Sequence, residues 1–132
     1  MRFGYFNFAF LGPESQWAAE AAECAGDQDK FWEYHDYLFS HQNGENQGAF
    51  SKDNLKGFAA DMGLDTKAFN TCLDSGKYTQ FVQDQANIAQ QLGVSSTPTF
   101  ALNGQPVGSV SFDEFKQKID ALLNPTPLTP TP

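Results

Sequence analysis

Gly93-Val94-Ser95-Ser96-Thr97-Pro98-Thr99-Phe100-Ala101-Leu102-Asn103-Gly104 is the stretch whose reading decides the fold. It holds a short β-like run with a proline at its entry and Asn-Gly at its exit. Proline cannot donate to a sheet ladder, so Pro98 belongs at the first residue of a strand. Both residues of Asn103-Gly104 tolerate the positive φ of a type I′ turn, so the pair predicts a two-residue hairpin. A second strand follows over about Gln105 to Ser109. Upstream, Phe81, Val82, Ile88, Ala89 and Leu92 recur at helical spacing and predict a helix from about Tyr78 to Leu92. Downstream, Ser111 and Glu114 form a capping box for a last helix carrying Phe112, Phe115, Ile119 and Leu122.

Towards the N-terminus the pattern changes. Phe6, Phe8 and Phe10 alternate onto one face and Phe3 and Tyr5 onto the other, which predicts a strand apolar on both sides, inside a helix-covered sheet. Gly12-Pro13 ends that strand, and Pro13 or Ser15 starts a helix through Ala25, stopped by Gly26. Asp27 is expected to cap a helix over about Gln28 to His41 with a broad aromatic stripe. Ser51 caps a short helix closed by Gly63, and Asp65 caps another closed by Gly76. Pro125 to Pro132 holds four prolines in eight residues and reads as an extended, disordered tail.

The 132 residues suffice for one domain with a real core, and 40% apolar content with thirteen Phe argues against disorder. A formal charge of −8 argues against nucleic acid and against anionic membrane surfaces as partners. No run of about eighteen apolar residues exists, so no membrane span is expected. The N-terminus has a short apolar part, a single basic residue and no small-x-small site, so it reads as a strand rather than a signal peptide.

Cys24 and Cys72 are the two thiols, 48 positions apart, and no Cys-x-x-Cys motif is present. Three readings stay open for them: a structural disulfide, two separate buried thiols, or a redox switch. His35 and His41 lie six apart on one predicted helix, so they face different sides and no metal site is expected. Phe31, Trp32, Tyr34, Tyr37 and Phe39 could line a peptide groove, but core packing is the simpler reading. Ser95-Ser96 has no activating histidine, and phosphate-binding glycine loops are absent.

The order strand, helices, hairpin, helix resembles the DsbA-like branch of the thioredoxin superfamily. The resemblance rests on Cys24-Ala25 followed by Gln28, Phe31-Trp32-Glu33-Tyr34-His35-Asp36, Gly63-Leu64-Asp65, Phe69, Cys72-Leu73 and Gly93 to Phe100, and spans Met1 to about Leu123. It implies an α/β, thioredoxin-like domain over residues 1–124 with a helical insertion over about 14–92 and a tail over 125–132. It also implies a cis peptide bond into Pro98, a substrate-facing role for Thr97 and Pro98, and a non-catalytic disulfide between Cys24 and Cys72. Family members begin with further strands and a helix opened by Cys-x-x-Cys, so the chain reads as N-terminally truncated, a fragment or degenerate member.

On that reading no catalytic residue is present, and the chain alone should be inert in thiol–disulfide exchange on protein cysteines. A redox-inactive peptide-binding module is the alternative. So is an interaction subunit: a strand missing between Phe3–Phe8 and Thr99–Leu102 would leave edges that invite a partner strand or a homodimer. No cofactor is implied, the partners are cysteine-containing proteins or peptides, and the full-length protein would work outside the cytoplasm.

Overall fold

A computed structural model of the chain describes residues 1–108 and 110–125. Five helices come first: α1 (Pro13–Gly26), α2 (Phe31–Ser40), α3 (Lys52–Asp61), α4 (Thr66–Ser75) and α5 (Thr79–Gln91). Strands β1 (Phe100–Leu102) and β2 (Gln105–Val107) and helix α6 (Phe112–Leu123) follow. The chain divides into two compact units: Tyr5–Gly93, and Met1–Gly4 with the described residues from Val94 on.

In the helical unit the core lies between α1, α2, α3 and α4. Tyr34, Leu55, Phe69 and Leu73 are fully buried there, with the Tyr34 and Phe69 rings 5.4 Å apart. The Tyr34 hydroxyl donates to the Leu55 carbonyl at 2.7 Å, so the phenol enters the core with its polar atom satisfied. Burial drives its pKa far above that of a free phenol. Ser51 and Asp65 cap α3 and α4 by accepting from the backbone N–H groups of Asn54 and Ala68. Gly76 closes α4 at φ 65°, where a Cβ would come within 2.9 Å of the Thr79 hydroxyl.

Glu14, in the first turn of α1, is also buried. Its carboxylate accepts from the Gly48 and Phe50 amides at 2.8 and 2.9 Å, which pins the loop after α2 to the start of α1.

In the second unit, β1 and β2 pair antiparallel with Leu102 opposite Gln105 across the two-residue Asn103-Gly104 turn. Asn103 and Gly104 both have positive φ, 50° and 77°, as the hairpin signal requires. Ser111 and Glu114 make the reciprocal capping box at the start of α6.

Two expectations fail here. Residues 1–10 form no strand; β1 and β2 make up the whole sheet among the described residues. Phenylalanines at alternate positions satisfy a strand pattern, but a strand also needs a ladder. This segment is held instead by side chains: Asn7 is buried and its amide donates to Glu23 at 2.7 Å and Gln85 at 2.8 Å, while Phe6 and Phe10 stay about half exposed. The expected sheet edge at Phe3–Phe8 therefore has no counterpart. Asp27, for its part, does not cap α2; it is the C-cap residue of α1, its backbone N–H donating to the Glu23 carbonyl at 3.2 Å. Helix α2 starts at Phe31 with Lys30 before it, and the Asp27 side chain is engaged elsewhere. Ser109, the expected end of β2, and the expected tail beyond Pro125 lie outside the described residues.

Candidate functional site

Cys24 sits in the last turn of α1 and Cys72 in the second half of α4. Contact between these two helices brings their Cα atoms to 5.9 Å, and the sulfurs are bonded. The bond closes a loop of 48 residues. Cys24 is 1% exposed and Cys72 is 8% exposed, so both are buried and Cys72 is the less buried of the two. Both sulfurs lie towards the C-terminal ends of their helices, where the backbone dipoles present partial negative charge.

One helical turn beyond Cys24, the Asp27 carboxylate stands 3.8 Å from the Sγ of Cys72. Lys77 Nζ donates to Asp27 Oδ2 at 2.6 Å and the Tyr78 hydroxyl donates to Oδ1 at 2.6 Å. The Lys77 ammonium also lies 5.0 Å from the Tyr78 ring centroid. The hydrogen bond from Lys77, then that from Tyr78, holds the Asp27 pKa below the usual aspartate value. The same contacts raise Lys77 and Tyr78. Asp27 is thus an anion fixed in place beside the disulfide.

In the other unit, Thr97 and Pro98 are exposed and joined by a cis peptide bond. Ser96, Thr97, Pro98, Phe100, Gly108 and Val110 line one concavity, and the Thr99 hydroxyl donates to the Ser96 carbonyl at 2.6 Å.

The helical unit also holds a cleft of about 360 Å³ walled by Tyr5, Phe8, Ala18, Leu38, Phe39 and Phe50. The aromatic run expected to pack in the core is therefore divided. Tyr34 is core, whereas Phe39 and Trp32 are 59% and 44% exposed. His35 lies among aromatic rings, 5.0 Å from Tyr5 and 4.7 Å from Phe39, and His41 stacks on Tyr37 at 3.9 Å. Burial raises the pKa of Glu23, against the lowering effect of its hydrogen bond from Asn7.

A family model described as thioredoxin matches residues 1–121. The chain belongs to the thioredoxin family. Its similarity to solved structures agrees with a thioredoxin-like fold. BdbD from Bacillus subtilis, in its oxidised form, superposes with a TM-score of 0.78 at 25% identity, over 90% of this chain and 66% of that one. A thioredoxin-like oxidoreductase from Silicibacter pomeroyi DSS-3 gives a TM-score of 0.72 at 24% identity, over 92% and 68%. Disulfide bond formation protein D of Bacillus subtilis (strain 168) is 26% identical over 127 residues, which is 93% of this thioredoxin-family chain and 57% of that protein. The Na(+)/H(+) antiporter NhaA 1 of Salinispora arenicola (strain CNS-205) is 35% identical over 119 residues, 89% of this chain and 18% of the antiporter. The chain thus spans about a fifth of the antiporter and just over half of the disulfide formation protein. No helix among the described residues is long and apolar enough to cross a membrane.

These findings overturn the expectation that the chain lacks a cysteine pair for disulfide chemistry. The similar proteins include one named for disulfide bond formation, and here two cysteines do form a disulfide. Cys24 and Cys72 are bonded as the resemblance implied, and it is the packing of α1 on α4, not Cys-x-x-Cys spacing, that brings them together. Asp27, Lys77 and Tyr78 were not anticipated beside that bond. The i, i+3 relation of Cys24 and Asp27 placed them on one helical face and was the available signal.

Proposed function

We propose that this domain performs thiol–disulfide exchange with cysteine-containing protein chains, in an oxidising compartment outside the cytoplasm. Cys24–Cys72 is the bond exchanged; Thr97 and Pro98, in the other unit, are proposed separately as a surface for an extended chain. The observation that carries this reading is the disulfide itself, formed in a domain of a family whose relatives include disulfide bond formation proteins. A formed disulfide also fits an oxidising compartment. The exposed Ser96–Phe100 segment supports the role of Thr97 and Pro98, since free backbone groups beside a short strand can hold an extended chain.

A second reading is favoured by the burial of both sulfurs: the bond staples α1 to α4 and exchanges only after local opening. One experiment separates the two. The oxidised chain is incubated with a reduced, unfolded protein bearing two cysteines, and disulfide formation in that protein is followed by alkylation and mass spectrometry. Exchange requires transfer by the wild-type chain and its loss in Cys72→Ser. Transfer no faster than with Cys72→Ser rejects exchange and leaves the staple.

A further inference from the structure

We infer that the cleft bordered by α1, α2 and the loop after α2 is a binding site for an amphiphilic organic cation, an apolar body carrying one ammonium or guanidinium group. The cleft lies wholly within the helical unit, and the inference needs nothing from the exchange reading above.

Small side chains open the space. Ala18, Ala19 and Ala22 line it from α1 and leave about 360 Å³, within the range of about 300–1,000 Å³ usual for small-molecule sites. Tyr5, Phe8, Phe39 and Phe50 supply rings, and His35 bridges two of them, 5.0 Å from Tyr5 and 4.7 Å from Phe39. The loop wall is already fixed. Glu14 accepts from the Gly48 and Phe50 amides, and Asn46 accepts from the Glu14 N–H at 3.4 Å while its own amide donates to the Leu11 carbonyl. A wall held at both ends binds with little ordering cost. Phe39 and Leu11 also line the cleft and remain 59% and 41% exposed, so an apolar body seated there would take further apolar area out of water.

Charge selects the ligand. No Lys or Arg lines the cleft, whereas two carboxylates, Glu14 and Glu45, do. Two helix ends also reach it: the start of α1, with partial positive charge, and the end of α2, with partial negative charge and no basic residue in its last turn. Each end is worth about half a charge and they offset one another, so the carboxylates decide the sign. Glu14 is committed to two amides. Glu45 makes no side-chain hydrogen bond or ion pair among the described residues, so its charge is the one left to a ligand. The Tyr5 phenol feels a negative field as well, since burial first and the Glu23 charge second raise its pKa. Aromatic faces attract a cation and accept an apolar body equally well. A second copy of the chain is the poorer occupant, because each copy carries −8 and like charges oppose association at an acidic face.

Three probes with one apolar body and different heads test this on the full, folded chain: phenylbutylamine, phenylbutanol and phenylbutyrate. Binding is followed at neutral pH by amide shifts in proton–nitrogen correlation spectra. The amine should bind about tenfold more tightly than the acid, with the alcohol between, and the shifts should centre on Ala18, Phe39 and Glu45. Ala19→Leu fills the space and should weaken all three probes by about fivefold or more. Glu45→Gln, at an exposed position, keeps the test alive if the filled variant misfolds. It should weaken the amine by about threefold and leave the alcohol unchanged. Added salt should likewise weaken the amine and spare the alcohol.

Equal binding of amine and acid would overturn the choice of a cation, and binding of none of the three would overturn the site. Shifts spread over the acidic surface, unchanged in a folded Ala19→Leu, would mean that the amine does not use the cleft and would also overturn it. A dimer by light scattering that excludes the amine would give this face to a second copy, whereas a monomer that binds the amine supports the proposal.

Discussion

The helical unit and the hairpin unit are ordered by different physics. Between Tyr5 and Gly93, order comes from groups far apart in sequence: the Cys24–Cys72 bond, the Tyr34 hydroxyl on Leu55, the Glu14 carboxylate on Gly48 and Phe50, and the Asn7 amide on Glu23 and Gln85. From Val94 on, order comes from neighbours: a two-residue turn, a three-residue ladder and a capping box, with no buried residue in α6. Side chains that bridge long separations make a unit cooperative, whereas local signals make each element nearly self-sufficient.

Removing the disulfide should have the largest effect and should fall on the helical unit. Constraint of a 48-residue loop stabilises by about 4 kcal/mol in the chain-entropy model. Cys24→Ala with Cys72→Ala should lower Tm by on the order of 10 °C in calorimetry. An unchanged melting curve, or loss of amide protection in Phe100–Val107 before the helices, would break the contrast between the units.

Next comes Glu14→Ala. It strands two backbone donors and should destabilise by about 2–3 kcal/mol. Amide exchange at Gly48 and Phe50 should rise well before that of Leu55, and a uniform rise would show that the clamp is not local. In the hairpin unit, Ser111→Ala removes a cap worth about 1 kcal/mol. Its signature is fraying of α6 by hydrogen exchange, with the core around Tyr34 unmoved.

How much of this was legible follows the same division. Asn103-Gly104, Ser51, Asp65 and the Ser111/Glu114 box were readable because each acts within four residues, and each is found in its expected place. Asp27 was misread because its chemistry lies with Lys77 and Tyr78, fifty positions on, whereas cap residues are recognised from the next few. The N-terminal run was misread for a related reason. Alternation of phenylalanines predicts a face, but a strand also needs a partner ladder, and periodicity says nothing about who supplies one. Of the candidate site, the cysteines and the proline could be named from the chain. The anion beside the bond could not, because it needed α1, α4 and the turn before α5 in one place.

The smallest expected effect sharpens that last point. Asp27 has a lowered folded-state pKa, so its contribution is present above the unfolded aspartate value of 3.8 and is lost as pH falls through the folded value. The stability difference between wild type and Asp27→Asn should therefore shrink as pH falls from 5 towards 3 in urea titrations. Glu23 shifts the other way through burial, so its effect opposes folding increasingly as pH rises through its folded pKa. A difference that grows on acidification would mean that Lys77 and Tyr78 do not hold Asp27 as an anion.

Trapping the mixed disulfide tests the central claim most directly. The folded, oxidised chain is mixed with a reduced cysteine peptide flanked by lysines, quenched in acid within seconds to minutes, and mapped by mass spectrometry. Exchange at the less buried cysteine requires an adduct on Cys72 with Cys24 as a free thiol. An adduct on Cys24, or none before the fold opens, would contradict it.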